Sequence, residues 1–172
     1  MDDTGATGPA PVTTIETDYE AFFHREFSTL AVLAGTVAGN RSAGEDIAQE
    51  ALSRAHQQWA KVSSFDRPGA WVRRVAINLA IGRKRRFASE AKALLRLAPT
   101  QVAAEVRGGD PLVWAAVDEL APRQRAVIAL HYLEDRPVAE IAEILEISVS
   151  AATSNLHKAR TNLATKLGAS HG

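Results

Sequence analysis

Residues 137–160 read PVAEIAEILEISVSAATSNLHKAR, and this stretch decides the architecture. Its apolar residues recur at helical spacing on either side of a short break. Ile141, Leu145, Ile147, Val149 and Leu156 supply the contacts between two short helices. Ala142 stands where the first helix must be small for the second to cross it closely. Ser148 carries the hydroxyl of an N-cap for the second helix. Two helices joined by so tight a turn form a helix-turn-helix, whose second helix usually lies in the DNA major groove. An ordinary αα-hairpin of a helical bundle has the same pattern, so this segment alone leaves both readings open. The turn position usually held by glycine is Glu146. A side chain at positive φ costs on the order of 1 kcal/mol, which predicts a strained or reshaped turn.

Immediately upstream, Asp110-Pro111 opens a helix with Val113, Trp114, Val117 and Leu120 inside. Pro122 starts another, with Ala126, Val127, Leu130 and Leu133 on one face. Residues 110–168 therefore read as one helical unit. Before it, SEAKALLRL at 89–97 is compatible with a helix, but Pro99 and Gly108-Gly109 break the pattern beyond it. Residues 89–109 read as a flexible linker.

Residues 17–88 read as a second unit. Thr17 and Glu20 make a capping box, followed by Phe23, Phe27, Leu30, Ala34 and Val37 at helical spacing and a stop at Gly39-Asn40. Ser42 and Glu45 make another, followed by the stripe Ile47, Ala51, Leu52, Ala55 and Trp59. Lys61 to Arg67 reads as a loop. Pro68 fits the first turn of a third helix, with Val72, Val75, Ala76 and Leu79 buried and an end near Arg86. Residues 1–16 read as a disordered tail.

The composition agrees with an all-α fold of two small helical domains on a flexible tether. A chain of 172 residues holds one domain or two small ones. It is 46% hydrophobic but only 6% aromatic, and few β-branched runs alternate with the period of a strand, so no sheet is expected. The absence of cysteine excludes disulfides and thiolate metal sites within the chain. No apolar run approaches the roughly 20 residues of a membrane span. The first residues have neither the basic start nor the apolar centre of a signal peptide, so a cytoplasmic location is expected.

A net charge of zero hides an asymmetry. Residues 1–66 carry 4 Lys/Arg against 10 Asp/Glu, 67–107 carry 10 against 2, and 108–172 carry 6 against 8. A basic block of this kind points to a local polyanion site, and the acidic first third to a basic partner. The third helix carries Arg74, Asn78 and Arg85 on its polar face, flanked by Arg73, Arg83, Lys84 and Arg86. Arginine and lysine neutralise phosphates, and asparagine can read a base edge. A solvated basic face looks the same, and only its place upstream of a helix-turn-helix favours nucleic acid. Asp46, Gln49 and Glu50 share one helix face, a pattern that is common on exposed helices but that also suits docking a basic partner helix.

Taken in order, DIAQEAL at 46–52, WVRRVAINLA at 71–80 and LAPRQRAVIALHYLEDRPVAEIAEIL at 120–145 resemble a bacterial sigma factor. The compact two-domain layout is similar to the extracytoplasmic-function group, with a region 2-like domain at 17–88 and a region 4-like domain at 110–168. The resemblance implies that Asp46, Gln49 and Glu50 dock on the clamp helices of the RNA polymerase β′ subunit. It implies that Ser63, Ser64, Phe65, Asp66 and Arg67, with Arg74, Asn78, Arg83, Arg85 and Arg86, take the minus-ten element, where one base is flipped and captured as the duplex opens. It implies that Ser148, Ser150, Thr153, Ser154, His157 and Lys158 face the minus-thirty-five element, with Arg160 on phosphate. Further implied partners are the β flap, promoter DNA and an anti-sigma factor, with nucleoid association when bound to polymerase. The linker is implied to thread toward the RNA exit channel.

The sequence departs from that pattern at Glu146, at Thr153 and Asn155, where the family often has a basic residue, and at Ala152, which replaces a larger apolar one. A less charged recognition helix leans more on groove shape. Two rival readings remain. A stand-alone helix-turn-helix regulator explains residues 110–168 but leaves the acid–amide face and the basic helix without a joint purpose. An enzyme is disfavoured: His24, His56, His131, His157 and His171 are scattered, no phosphate loop or nucleophile motif occurs, and no cofactor or metal is expected.

Overall fold

The structure, a computed structural model, describes residues 12–94 and 110–169, with side chains described from 18 to 90 and from 110 to 168. Eight helices and no strand occur among the described residues. They are α1 (Val12–Ala38), α2 (Arg41–Gln57), α3 (Trp59–Val62), α4 (Pro68–Leu94), α5 (Pro111–Asp118), α6 (Pro122–Tyr132), α7 (Val138–Leu145) and α8 (Val149–Ala169).

The first unit is built on the crossing of α1 and α2. A Cβ on Gly44 would lie 2.3 Å from the Ala31 carbonyl oxygen and 2.7 Å from Gly35 Cα, so the two backbones touch there. Around that contact Leu30, Leu33, Ala34 and Val37 of α1 meet Ile47, Ala48, Ala51, Leu52 and Ala55 of α2. Gly39 turns the chain at φ 77°, and Asn40 caps α2 by accepting from the Ala43 N–H at 3.2 Å. The cap is therefore Asn40 rather than Ser42, because the chain becomes helical as soon as it has left the Gly39 turn.

Other boundaries also shift. α1 already runs from Val12, so Thr17 lies inside a helix and the boundary expected after residue 16 falls within it. Extending a formed helix adds one backbone bond per residue, which a capping pattern alone does not prevent. Trp59 is buried but belongs to the short α3, which takes up the start of the expected loop. α4 continues past Arg86 to Leu94, so the expected linker begins as helix. Residues 1–11 and 95–109, the rest of the expected tail and linker, lie outside the described residues.

The core faces are rotated at a few positions. Phe22 is buried more deeply than Phe23, and on α4 Ile77 and Ala80 are buried while Val75 and Leu79 are half-buried against the core. Val113, Leu133 and Val149, all expected inside, are exposed.

The second unit is α5 to α8. Asp110 caps α5 through the Leu112 N–H at 2.8 Å, and Ser148 Oγ accepts from the Ala151 N–H at 3.0 Å as expected. α7 ends with Glu146 in the left-handed conformation, φ 52° and ψ 46°. The N–H of Ile147 then returns to the Ala142 carbonyl at 3.0 Å, a close relative of the glycine-type helix stop. α8 packs on α6 and α7 through Ala152, Leu156 and Ala159.

The two expected domains share one continuous core. α6 is buried along Arg125–Leu130 and packs against both α1 and α8. Arg125 is fully buried and donates to the carbonyls of Val37 (3.0 Å), Asp118 (2.7 Å) and Leu120 (3.0 Å). A cation there satisfies carbonyls at the ends of α1 and α5 that have no partner within their own helices.

Candidate nucleic-acid interface

Three surfaces carry the residues singled out in the sequence. On α2, Asp46, Gln49 and Glu50 are all exposed, while their neighbours Ile47, Ala48 and Ala51 are buried. Burial of that stripe fixes the helix rotation and leaves the acid–amide row outward. Glu50 accepts from Arg54 at 2.8 Å, and Asp46 lies 3.5 Å from Arg83 of α4. Both pairs are solvent-exposed and weak, on the order of 0.5 kcal/mol each, so either carboxylate can change partner.

The second surface joins the turn after α3 to the outer face of α4. Ser63, Ser64, Asp66 and Arg67 are exposed, and Phe65 is half-buried against the core, which anchors the turn. Ser64 Oγ donates to the Lys61 carbonyl at 2.7 Å and tightens it. Asn78, Arg85 and Arg86 are exposed on α4, and Arg74 and Arg83 are half-buried. Arg73, which the sequence places at the edge of this basic face, points inward with its side chain 6% exposed. It donates to Glu134 at 2.5 Å, to Glu26 at 2.7 Å and to the Gly69 carbonyl at 3.0 Å. Gly69 makes the room, since a Cβ there would lie 2.9 Å from the guanidinium. Burial by itself pushes the Glu26 carboxyl up, but the hydrogen bonds and charges of Arg73 and Arg25 hold it below the usual carboxylate range. Burial opposes the charge on Arg73, and Glu134 and Glu26 more than restore it.

Two arginines of this face are engaged by the second unit. Arg67 lies 3.1 Å from Glu143 and 3.6 Å from Glu140 of α7. Arg74 donates to Glu146 at 2.5 Å and to the Ile144 carbonyl at 3.2 Å. Glu140 and Glu143 were not singled out in the sequence, although they share one face of α7 at a spacing of three, and Glu146 was noted only for its place in the turn.

The third surface is α8. Ser148, Ser150, Thr153, Ser154, His157 and Lys158 are exposed along it. Thr153 Oγ1 donates back to the Val149 carbonyl at 2.9 Å. Asn155 is half-buried and its amide donates to the Ala151 carbonyl at 2.9 Å, so this departure from the family pattern lies off the exposed row. Arg160 donates to the Tyr132 hydroxyl at 2.8 Å and lies 3.2 Å from His131 Nε2, which ties α8 to the end of α6. No helix among the described residues is long and apolar enough to cross a membrane, and no cluster of three or more His, Asp or Glu there is arranged to hold a metal.

The sequence and this geometry have counterparts among known proteins. Residues 22–89 match the model of sigma-70 region 2, and residues 112–163 match that of sigma-70 region 4. The chain is 30% identical over 125 residues to an RNA polymerase sigma-E factor of Streptomyces coelicolor, across 72% of this chain and 71% of that protein. It is 31% identical over 148 residues to the ECF RNA polymerase sigma factor SigW of Bacillus subtilis, across 75% and 78%. Among solved structures, the fold is similar to the sigma factor RpoE in complex with the anti-sigma factor NepR from Bartonella quintana. There the TM-score is 0.70 and the identity 22%, over 88% of this chain and 98% of that one. It is also similar to CnrH in complex with the cytosolic domain of CnrY, with a TM-score of 0.64 and 22% identity over 90% of each. By sequence identity and by both region models, the chain belongs to the RNA polymerase sigma factors of the extracytoplasmic-function group.

Proposed function

We propose that this sigma factor divides its work among the three surfaces described. Asp46, Gln49 and Glu50 dock on the β′ clamp helices of core RNA polymerase. The turn Ser63 to Arg67, with Arg74, Asn78, Arg83, Arg85 and Arg86, takes the non-template strand at the minus-ten element. Asn78 carries an amide donor and a carbonyl acceptor that together suit a base edge, and the arginines supply phosphate contacts. The exposed row of α8 reads the minus-thirty-five element, with Arg160 on phosphate and the capped N-terminus of the helix toward the groove. Residues 17–88 and 110–168 are the two functional units, and 89–109 the segment that spans polymerase between them. The chain does no bond chemistry of its own, takes no cofactor and works in the cytoplasm, on the nucleoid once polymerase has bound.

The observation that carries this reading is the outward acid–amide row on α2 beside a fully buried stripe. A stand-alone regulator has no use for that row, nor for the region 2 match over residues 22–89. Of the similar structures, the sigma factor RpoE is in complex with the anti-sigma factor NepR, and CnrH is in complex with the cytosolic domain of CnrY. An anti-sigma factor is the corresponding partner proposed here.

The test is the double variant Asp46→Arg with Glu50→Arg. Both sites are exposed, so helix content and unfolding midpoint should stay near wild type. Affinity for core polymerase should fall by about a hundredfold or more, because reversed charges repel the basic partner face. Unchanged affinity would remove the docking role from α2.

A further inference from the structure

The arginines assigned to the minus-ten strand meet a row of negative groups that belongs to the helix-turn-helix itself. Glu140 and Glu143 stand on α7, and Glu146 stands at its end. Arg67 faces the first two at 3.6 and 3.1 Å, and Arg74 faces the third at 2.5 Å. The Ile144 carbonyl, near the negative end of α7, accepts from Arg74 as well. Arginine recognises phosphate and carboxylate through the same fork of N–H donors.

We propose that α7 is an internal mimic of the DNA backbone, which in the free protein occupies Arg67 and Arg74 of the minus-ten surface and must leave before those arginines can take a strand. The proposal rests on the assignment of Arg67 and Arg74 to DNA made above. It also gives Glu146 a purpose. Glycine adopts φ near 50° without steric cost, yet this chain places a glutamate there, and its carboxylate reaches Arg74, 72 residues away. The buried contact of Arg73 with Glu134 lies beside these pairs and holds the same two units together. The exposed pairs therefore tune the closure, and the buried one sets its position.

The arrangement makes the free sigma factor a poor binder of single strands, because affinity falls by the fraction of molecules that are closed. Polymerase, by holding the two units apart, would uncover the arginines only where transcription can start.

The test uses the full chain with Glu143→Gln and Glu146→Gly. The second change suits the turn, so helix content should be unchanged. The sequence has no cysteine, so Ser53→Cys on α2 and Ala164→Cys on α8, both exposed, take a pair of spin labels cleanly. The two changes should raise the long-distance population roughly three- to tenfold, as expected for removing two exposed ion pairs. Affinity for a pool of random 12-nucleotide single-stranded DNA should rise by the same factor. A control with Glu20→Gln and Glu119→Gln removes equal charge elsewhere and should leave both readouts near wild type. No change in distances would overturn the closure, and an equal gain in the control would overturn the masking. Opening with unchanged strand affinity would leave the closure standing and overturn the assignment of Arg67 and Arg74 to DNA.

Discussion

Arg73 shows how one side chain can change role when the fold is considered. In sequence it sits in a basic cluster with Arg74, Arg83 and Arg86. In the structure it shares the inner face of α4 with Ile77 and Ala80, which follow at four and seven residues. Its guanidinium is enclosed by Glu26 and Glu134, the latter with its side chain only 3% exposed. Removing one member of such a group leaves the others charged and buried. Arg73→Met should therefore cost roughly 3–5 kcal/mol in chemical denaturation. A cost near that of an exposed ion pair would show that the group is solvated after all. The Glu26 carboxyl is held below its unfolded value, so its contribution is fully present above the usual carboxylate range. That contribution is lost as pH falls through the folded value. The unfolding midpoint should drop as pH is lowered from about 5. Glu26→Gln should drop less steeply, and parallel curves for the two proteins would contradict the assignment.

At the scale of helices, the legible parts of the sequence were those fixed by neighbours along the chain. Ser148 caps α8 and Asp110 caps α5 as their types and positions imply. The α2 stripe is buried because its period matches the helix. The end of α4 was not legible, since the Arg-rich and Ser-containing stretch after Leu79 has no stop signal until Pro99. α6 gave the least warning: it is buried nearly all round, and burial of Arg125 depends on carbonyls of α1 and α5 that no local pattern reveals. The Gly35–Gly44 crossing was equally silent, because close approach depends on two helices at once. It carries a sharp expectation. Gly44→Ala places a methyl group against backbone that cannot yield easily, and should destabilise the protein by about 2–3 kcal/mol despite alanine's better helix propensity. A gain in stability would mean that α1 and α2 can separate without loss.

At the scale of the whole molecule, the two small domains expected from the sequence are present but packed on one another through α1, α4, α6 and α7. The exposed rows of α2, α4 and α8, for which the docking and DNA-binding roles are proposed, were legible because each lies on a helix whose other face is apolar. Their mutual arrangement was not, since it is set by ion pairs between residues 61 to 76 positions apart, such as Arg73–Glu134 and Arg67–Glu143. The acid–amide row of α2 and the α8 row are exposed, while Arg67 and Arg74, proposed for the minus-ten strand, are paired with carboxylates of the second unit. On the proposed assignment, polymerase is engaged first and the melted strand only afterwards.

The most direct measurement is in vitro transcription with core polymerase and a library of genomic fragments. Wild-type protein should produce discrete new start sites that core polymerase alone does not use. Asp46→Arg with Glu50→Arg should abolish them by preventing assembly. Asn78→Ala should keep polymerase affinity while reducing open-complex formation about tenfold or more, as loss of a base contact of roughly 1–3 kcal/mol implies. No new starts with folded wild-type protein, or starts undiminished by the α2 variant, would contradict a sigma factor working through these surfaces.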